Sequence, residues 1–209
     1  MKKLLLATCA LFALSSGANA AIIPVLDTVT PVGTEWEFSY SGTLAGDQGL
    51  VSGSQLIIYD FAGYVDGSIS AGIYAADLSA TTELTSLLVP PPSDTDDPLV
   101  PNLVFTWTGQ PFNASGGPFA DVSFAGLTAR STYNLVLKDG FSAMAVTNNG
   151  AATGDMTLNS GRVGVPASVI PEPSAWTLMI LGFGFAGASL RAHRRRGDPL
   201  GAAGACRTR

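Results

Sequence analysis

The feature that most constrains the fold is a repeated alternation of apolar and polar residues between positions 33 and 165. The alternation is clearest in three runs, 35–40, 103–108 and 133–138. Successive side chains of a β-strand point to opposite faces of the sheet, so a period of two is typical of a strand with one buried face. These runs therefore predict β-strands rather than helices.

Turn signals lie between the runs. Asp139-Gly140 separates the run 133–138 from a second apolar run, 141–147, and predicts a tight β-hairpin. Residues 148–150, Asn-Asn-Gly, predict a turn at the end of that second run. The run Leu56–Tyr59 is apolar on both faces, which indicates a strand at the centre of a sheet.

Short strands with regular turns predict an all-β domain, either an antiparallel β-sandwich or a barrel-like fold. Residues 90–98 interrupt the pattern with four prolines and three aspartates, and proline cannot donate to a strand ladder. We expect this segment to form a long acidic surface loop within one domain.

The N-terminal 20 residues have the pattern of a secretory signal peptide. Two lysines are followed by a short apolar run over residues 4–14 and then by small residues, and the run is too short to span a bilayer. We predict export and cleavage by signal peptidase, with the recognition and cleavage positions at Ala18, Ala20 and Ala21.

The C-terminal segment combines a motif, an apolar run and a cluster of cations. Pro171-Glu172-Pro173 and Trp176 precede an apolar run that ends at Leu190. The arginines that follow are Arg191, Arg194, Arg195 and Arg196. An interfacial tryptophan and a positive flank are typical of a membrane helix with a cytoplasmic C-terminus, so we predict a transmembrane helix over 175–190. The fifteen residues from Trp176 to Leu190 span only about 22 Å, which predicts a marginal anchor in the inner membrane.

This ordered combination closely resembles the PEP-CTERM sorting signal of Gram-negative bacteria in its PEPxxWA variant. The resemblance implies that an exosortase removes the anchor and sends the exported protein to the cell surface or to the extracellular matrix. It also implies an association with biofilm and exopolysaccharide. The expected order is a signal peptide (1–20), an exported β-rich domain (21–159), a linker (160–170), the sorting signal (171–196) and an extra cytoplasmic tail (197–209).

The charge of the exported part excludes one class of function. Residues 21–170 contain 14 acidic side chains against three cations, Arg130, Lys138 and Arg162. A surface this acidic is repelled by phosphate backbones, so we expect no nucleic-acid partner.

Several kinds of catalytic site are excluded by composition. The single histidine, His193, lies in the arginine-rich segment, and the two cysteines, Cys9 and Cys206, lie in the signal peptide and in the tail. The exported domain therefore has no histidine or cysteine for nucleophilic catalysis or zinc binding. We expect no cofactor.

Three weaker patterns leave alternatives open. Glu35 and Glu37 share one strand face and are the candidates for a polysaccharide-active enzyme. The carboxylates of the acidic loop could offer oxygen ligands to calcium, and the candidates are Asp94, Asp96 and Asp97. Aromatic side chains could stack on sugars in a carbohydrate-binding module, and the candidates are Tyr40, Tyr59, Tyr64, Trp107 and Tyr133. The leading hypothesis is an exported, sorted β-domain without catalysis.

Overall fold

The structure is a computed structural model that describes residues 21–86, 88, 90–91, 94–168 and 173–196. The chain divides into two compact units, residues 1–168 and residues 169–209. The predicted signal peptide, with Ala18 and Ala20, lies outside the described residues, as do Pro171, Glu172 and the tail 197–209.

Over the described residues the first unit is built from nine β-strands, and the second contains one helix. The strands are β1 (Ile22–Val32), β2 (Glu35–Leu44), β3 (Gln48–Gly49), β4 (Gln55–Ile58), β5 (Leu78–Glu83), β6 (Asn102–Trp107), β7 (Val122–Ser131), β8 (Leu135–Thr147) and β9 (Met156–Ala167). The helix is α1 (Pro173–Arg196).

The strands form two antiparallel sheets. Sheet A has the order β1-β2-β7, and sheet B has the order β3-β8-β4-β6-β5, with β9 paired to β8. Every strand pair within the sheets is antiparallel. The prediction of an all-β, antiparallel domain is confirmed, and the division into two sheets favours the sandwich over the barrel.

One hydrophobic core joins the two sheets. Phe38 and Tyr40 of β2 are fully buried, together with Phe105 of β6 and Phe141 of β8 from sheet B. Phe38 also packs edge-to-face on Phe61, with ring centroids 5.4 Å apart. The alternation that predicted β2 and β6 therefore reports the face that each strand turns towards the other sheet.

The prediction of a central strand at Leu56–Tyr59 is confirmed by β4, which lies between β6 and β8. Leu56 and Ile58 face the main core, whereas Ile57 joins Tyr59 and Val104 in a smaller cluster against which Leu88 packs. Both faces of β4 are covered, which is why its sequence is apolar without alternation.

The predicted hairpin at Asp139-Gly140 is wrong, because β8 continues through both residues from Leu135 to Thr147. A Cβ on Gly140 would lie 2.9 Å from Cδ of Pro91 and 3.4 Å from Cδ2 of Tyr59. Gly140 also accepts a hydrogen bond from the backbone N–H of Tyr59 at 3.0 Å. The glycine allows close packing here rather than a turn, and the chain turns after Thr147, as the signal at 148–150 predicts.

The predicted linker 160–170 is also corrected, because residues 160–167 are the last eight of the twelve residues of β9. They pair with β8 from Ser142 to Leu135, and Val163 and Val165 are buried in the core. Gly161 and Gly164, which suggest a loop in the sequence, are sites of close approach: a Cβ on Gly161 would lie 2.7 Å from the ring of Phe141.

The predicted transmembrane segment 175–190 falls within α1. Among the residues that the structure describes, no helix combines the length and the apolar character needed to cross a membrane.

We predict that Tyr40→Phe destabilises the domain by on the order of 1 kcal/mol. The buried hydroxyl of Tyr40, on sheet A, donates a 2.9 Å hydrogen bond to the carbonyl oxygen of Gly164 on β9 of sheet B. Tyr133→Phe is the matched control, because the side chain of Tyr133 is 39% exposed. Urea unfolding followed by circular dichroism is the measurement; equal losses in both variants would contradict a structural role for the Tyr40 hydroxyl.

Candidate functional site

The helix of the sorting segment, α1, begins with a proline. Pro173 starts α1, where its missing N–H costs no helical hydrogen bond. The backbone of Trp176, Arg191 and Arg194–Arg196 lies in the same helix, although the side chains of Trp176 and Arg194–Arg196 are outside the described part of the chain.

The described side chains of α1 between residues 178 and 187 are apolar, apart from three glycines. Six large ones are at least half exposed: Leu178, Met179, Ile180, Leu181, Phe183 and Phe185. At 100° per residue these six positions are distributed around the helix axis, so the described residues 178–187 form no polar face. The two motif residues before the helix, Pro171 and Glu172, lie outside the described residues.

In the β-domain, a cluster of polar residues lies where β4 ends. The backbone N–H of Asp60 donates to Oδ1 of the fully buried Asn102 at 2.8 Å. The side-chain Nδ2 of Asn102 donates to Oδ1 of Asp96 at 3.0 Å, and the N–H of Asp97 donates to Oδ1 of Asp60 at 2.9 Å. These bonds fix the second half of the acidic loop to the strands of sheet B.

An ion pair fixes the first half of the same loop. The guanidinium of Arg162, on β9, donates from Nε and from NH2 to the two carboxylate oxygens of Asp94. The side chain of Asp94 is almost fully buried, whereas that of Arg162 is half exposed. The described residues of the acidic loop predicted over 90–98 are therefore held against sheet B through their carboxylates, and we call them the strap.

Burial raises the pKa of two aspartates near the strap. Burial raises the pKa of Asp60 to about 6. A hydrogen bond from the N–H of Asp97 opposes this rise, and the charges of Asp139 and Asp96 add to it. Burial also raises the pKa of Asp139, with a further contribution from the charge of Asp94.

The calcium candidates each have a protein partner. Asp94 pairs with Arg162, Asp96 accepts from Asn102, and Asp97 accepts from the N–H of Leu99 at 2.9 Å. Over the described residues, no three histidine, cysteine, aspartate or glutamate side chains gather as a metal-binding group. The structure therefore gives the calcium hypothesis no support.

The carboxylates proposed for catalysis lie on β2. Oε2 of Glu35 accepts a hydrogen bond from NH1 of Arg130 at 2.8 Å, across the pairing of β2 with β7. Glu37 is the residue directly opposite Arg130 in the register. Both carboxylates thus lie beside a cation of the neighbouring strand, as in a surface ion-pair cluster.

The aromatic candidates for sugar binding are mostly part of the core. Tyr40, Tyr59 and Trp107 are buried, and Tyr64 is half-buried against Phe61. Among the five, Tyr133 alone is exposed. The described surface therefore lacks an aromatic platform built from these residues.

Sequence reasoning missed Asp60, Asn102, Asp139 and Arg162 as parts of the strap contacts. The available signal was the position of Asp60 directly after a run that is apolar on both faces, since a charge there is forced into a partly buried environment. The partners come from distant parts of the chain and have no local signature.

We predict that Asp60→Asn stabilises the domain relative to wild type as the pH rises. Because the folded-state pKa of Asp60 is raised, the folded chain holds a proton that the unfolded chain releases first, and stability falls as pH rises from 3.8 towards about 6. Asparagine carries no charge, keeps the acceptor for the N–H of Asp97 and tolerates the positive φ of 53°. The difference in Tm between variant and wild type should therefore grow in favour of the variant over this pH range.

Asp60→Ala is the control, because it removes the acceptor as well as the charge and should lower Tm at every pH. Thermal unfolding at pH 4, 5, 6 and 7 is the measurement. A difference between Asp60→Asn and wild type that does not change with pH would contradict the raised pKa.

Comparison with known proteins bears on the C-terminal segment. No curated protein and no solved structure shows significant similarity to the chain. Residues 169–196 match the family model of the PEP-CTERM protein-sorting motif, in agreement with the resemblance noted at Pro171–Pro173, Trp176 and the arginine cluster. The chain thus carries a PEP-CTERM protein-sorting motif directly after its β-domain.

Proposed function

We propose that this chain is an exported protein whose two ends are removed during sorting. Signal peptidase cuts after Ala20, an exosortase cuts at the PEP-CTERM motif, and the β-domain is delivered to the cell surface or to the exopolysaccharide matrix. The observation that carries this proposal is the motif at residues 169–196.

The boundaries of the domain fit removal of both ends. The first strand begins at Ile22, one residue after the proposed N-terminus, and β9 ends at Ala167, four residues before Pro171. Both cuts therefore leave the described strands and the shared core intact.

The composition of α1 supports a temporary hold at the inner membrane. Its exposed apolar side chains, such as Ile180 and Phe183, favour an apolar surrounding, and Arg191 and the following arginines favour the cytoplasmic side. Once this segment is removed, the remaining domain is strongly acidic. It is repelled by anionic lipid surfaces and therefore dissociates from the membrane.

We further propose that the β-domain is a non-catalytic component of the surface or matrix. Two contacts support this: the candidate catalytic Glu35 is in an ion pair with Arg130, and the calcium candidate Asp94 is in one with Arg162. The candidate aromatic residues for sugar stacking are mostly buried, which favours a structural role over a carbohydrate-binding face.

Replacement of Pro171-Glu172-Pro173 by alanines tests the sorting proposal. In an exosortase-bearing host we expect the wild-type chain to lose residues 1–20 and the sorting helix, and to appear in the surface or medium fraction. The triple variant should remain in the membrane fraction with α1 attached, because the enzyme no longer recognises the motif. Intact-mass measurement of the fractionated protein distinguishes the two forms.

Ser174→Ala is the matched control, because residue 174 is one of the two variable positions between Pro173 and Trp176, and it should be processed like wild type. A host without exosortase should retain even the wild-type chain at the membrane. Surface-associated protein that still contains Trp176 to Arg196 would contradict the proposal.

A further inference from the structure

The chain leaves the β-domain beside an exposed apolar stretch of β8. Ala167, the last residue of β9, pairs with Leu135, the first residue of β8. Leu135 and Leu137, which lie on the same face of β8, are 40% and 54% exposed, and we call these two residues the exit patch. Val136, on the opposite face, is 40% exposed. Adjacent exposed apolar side chains on one face of a strand are a candidate contact surface for another molecule.

The backbone beside the exit patch also lacks a strand on one side. Over residues 135–139 β8 pairs with β9, and β4 begins to pair only at Phe141. Among the described strands none pairs with the other edge of β8 over these five residues. An open edge with apolar side chains is a surface that another protein can contact through both backbone and side chains.

The length of chain after Ala167 restricts what can reach the sorting motif. Pro171 is four residues beyond Ala167, and a fully extended chain covers at most about 3.6 Å per residue. Along the chain, Pro171 can therefore be at most about 14 Å, and Pro173 at most about 22 Å, from the end of β9 while the pairing with β8 is intact. An enzyme that encloses Pro171–Pro173 in its active site therefore works close to this end of the domain.

We propose that the exit patch is a docking surface for the sorting enzyme. The patch contacts an apolar region of the enzyme beside the enzyme's active site. This inference rests on the proposed exosortase processing and extends it, because it assigns part of substrate recognition to the folded domain. The lipid surface is the less favoured occupant, since the domain as a whole is strongly acidic and is repelled by anionic lipids.

The double variant Leu135→Ser/Leu137→Ser tests the docking surface in the full-length chain. Val136 is left unchanged because its Cγ1 lies close to Gly164, where an added Cβ would be 3.0 Å away. We expect cleavage to slow by on the order of tenfold in a pulse-chase experiment, since two apolar contacts are lost. The matched control is Ile73→Ser/Leu99→Ser, which changes two side chains that are each 87% exposed elsewhere and should leave the rate unchanged.

A flexible Gly-Ser insertion of twelve residues between Ser168 and Val169 gives a second test that leaves the domain sequence unaltered. If docking assists cleavage, the insertion should slow processing and should reduce the effect of the double variant. Faster processing after the insertion would mean that the domain merely obstructs the enzyme, and would overturn the proposal.

Three other outcomes are also decisive. A double variant that is cut at the wild-type rate overturns the docking surface while leaving the proposed sorting intact. If the double variant is cut normally but dissociates more readily from membranes, the patch contacts the lipid surface. This result would also overturn the proposed docking of the enzyme. If the alanine triple variant of Pro171–Pro173 is cut normally, the proposed function itself fails.

Discussion

The structure depends on the packing of two antiparallel sheets against each other, because the domain has no cysteine to crosslink them. The contact is made by alternate residues of β2, with Phe38 and Tyr40 against the apolar faces of β4, β6 and β8. The hydroxyl of Tyr40 adds a polar link from sheet A to β9. Burial of large side chains contributes about 25 cal/mol per Å² and supplies most of the stability of such a core.

This packing also positions the polar features of sheet B. On the outer face of β4, Ile57 and the adjacent Tyr59 are buried with Val104, and Leu88 packs against them. The strap in turn brings aspartates into a partly buried site with Arg162 as the neighbouring cation. The acidic cluster is thus a consequence of covering the sheet, and its carboxylates hold the strap in place.

Much of the fold could be predicted from the sequence, because alternation reports directly on strands with one buried face. Runs 35–40 and 103–108 and the central run Leu56–Tyr59 all correspond to observed strands. In the run 133–138 the strand begins only at Leu135, and Leu135 and Leu137, which the alternation predicts to be buried, are 40% and 54% exposed. The wrongly predicted turn and linker arose at glycines. Gly140 and Gly161 look like turn or linker residues locally, yet each allows a neighbouring side chain to approach a strand closely. Local patterns do not contain that information, since Pro91 and Phe141 reach these glycines only in the folded chain.

The sorting segment could be predicted because its signal is contiguous in the sequence and needs no tertiary contact. The polar site was not, since Asp60, Asn102 and Arg162 come together only when β4, β6 and β9 assemble. The extension of β9 to Ala167 connects the two parts of the molecule along the sequence. It leaves five residues, 168–172, between the paired strand and the helix of the sorting segment.

The folded β-domain continues to Ala167, directly before the sorting motif. Hydrogen exchange of the full-length chain, followed by mass spectrometry, tests it most directly. Peptides covering residues 160–167 should be protected to a degree similar to peptides from the paired part of β8, since the ladder bonds and the burial of Val163 and Val165 belong to the core. Exchange of residues 160–167 at the rate of an unstructured linker would contradict the account.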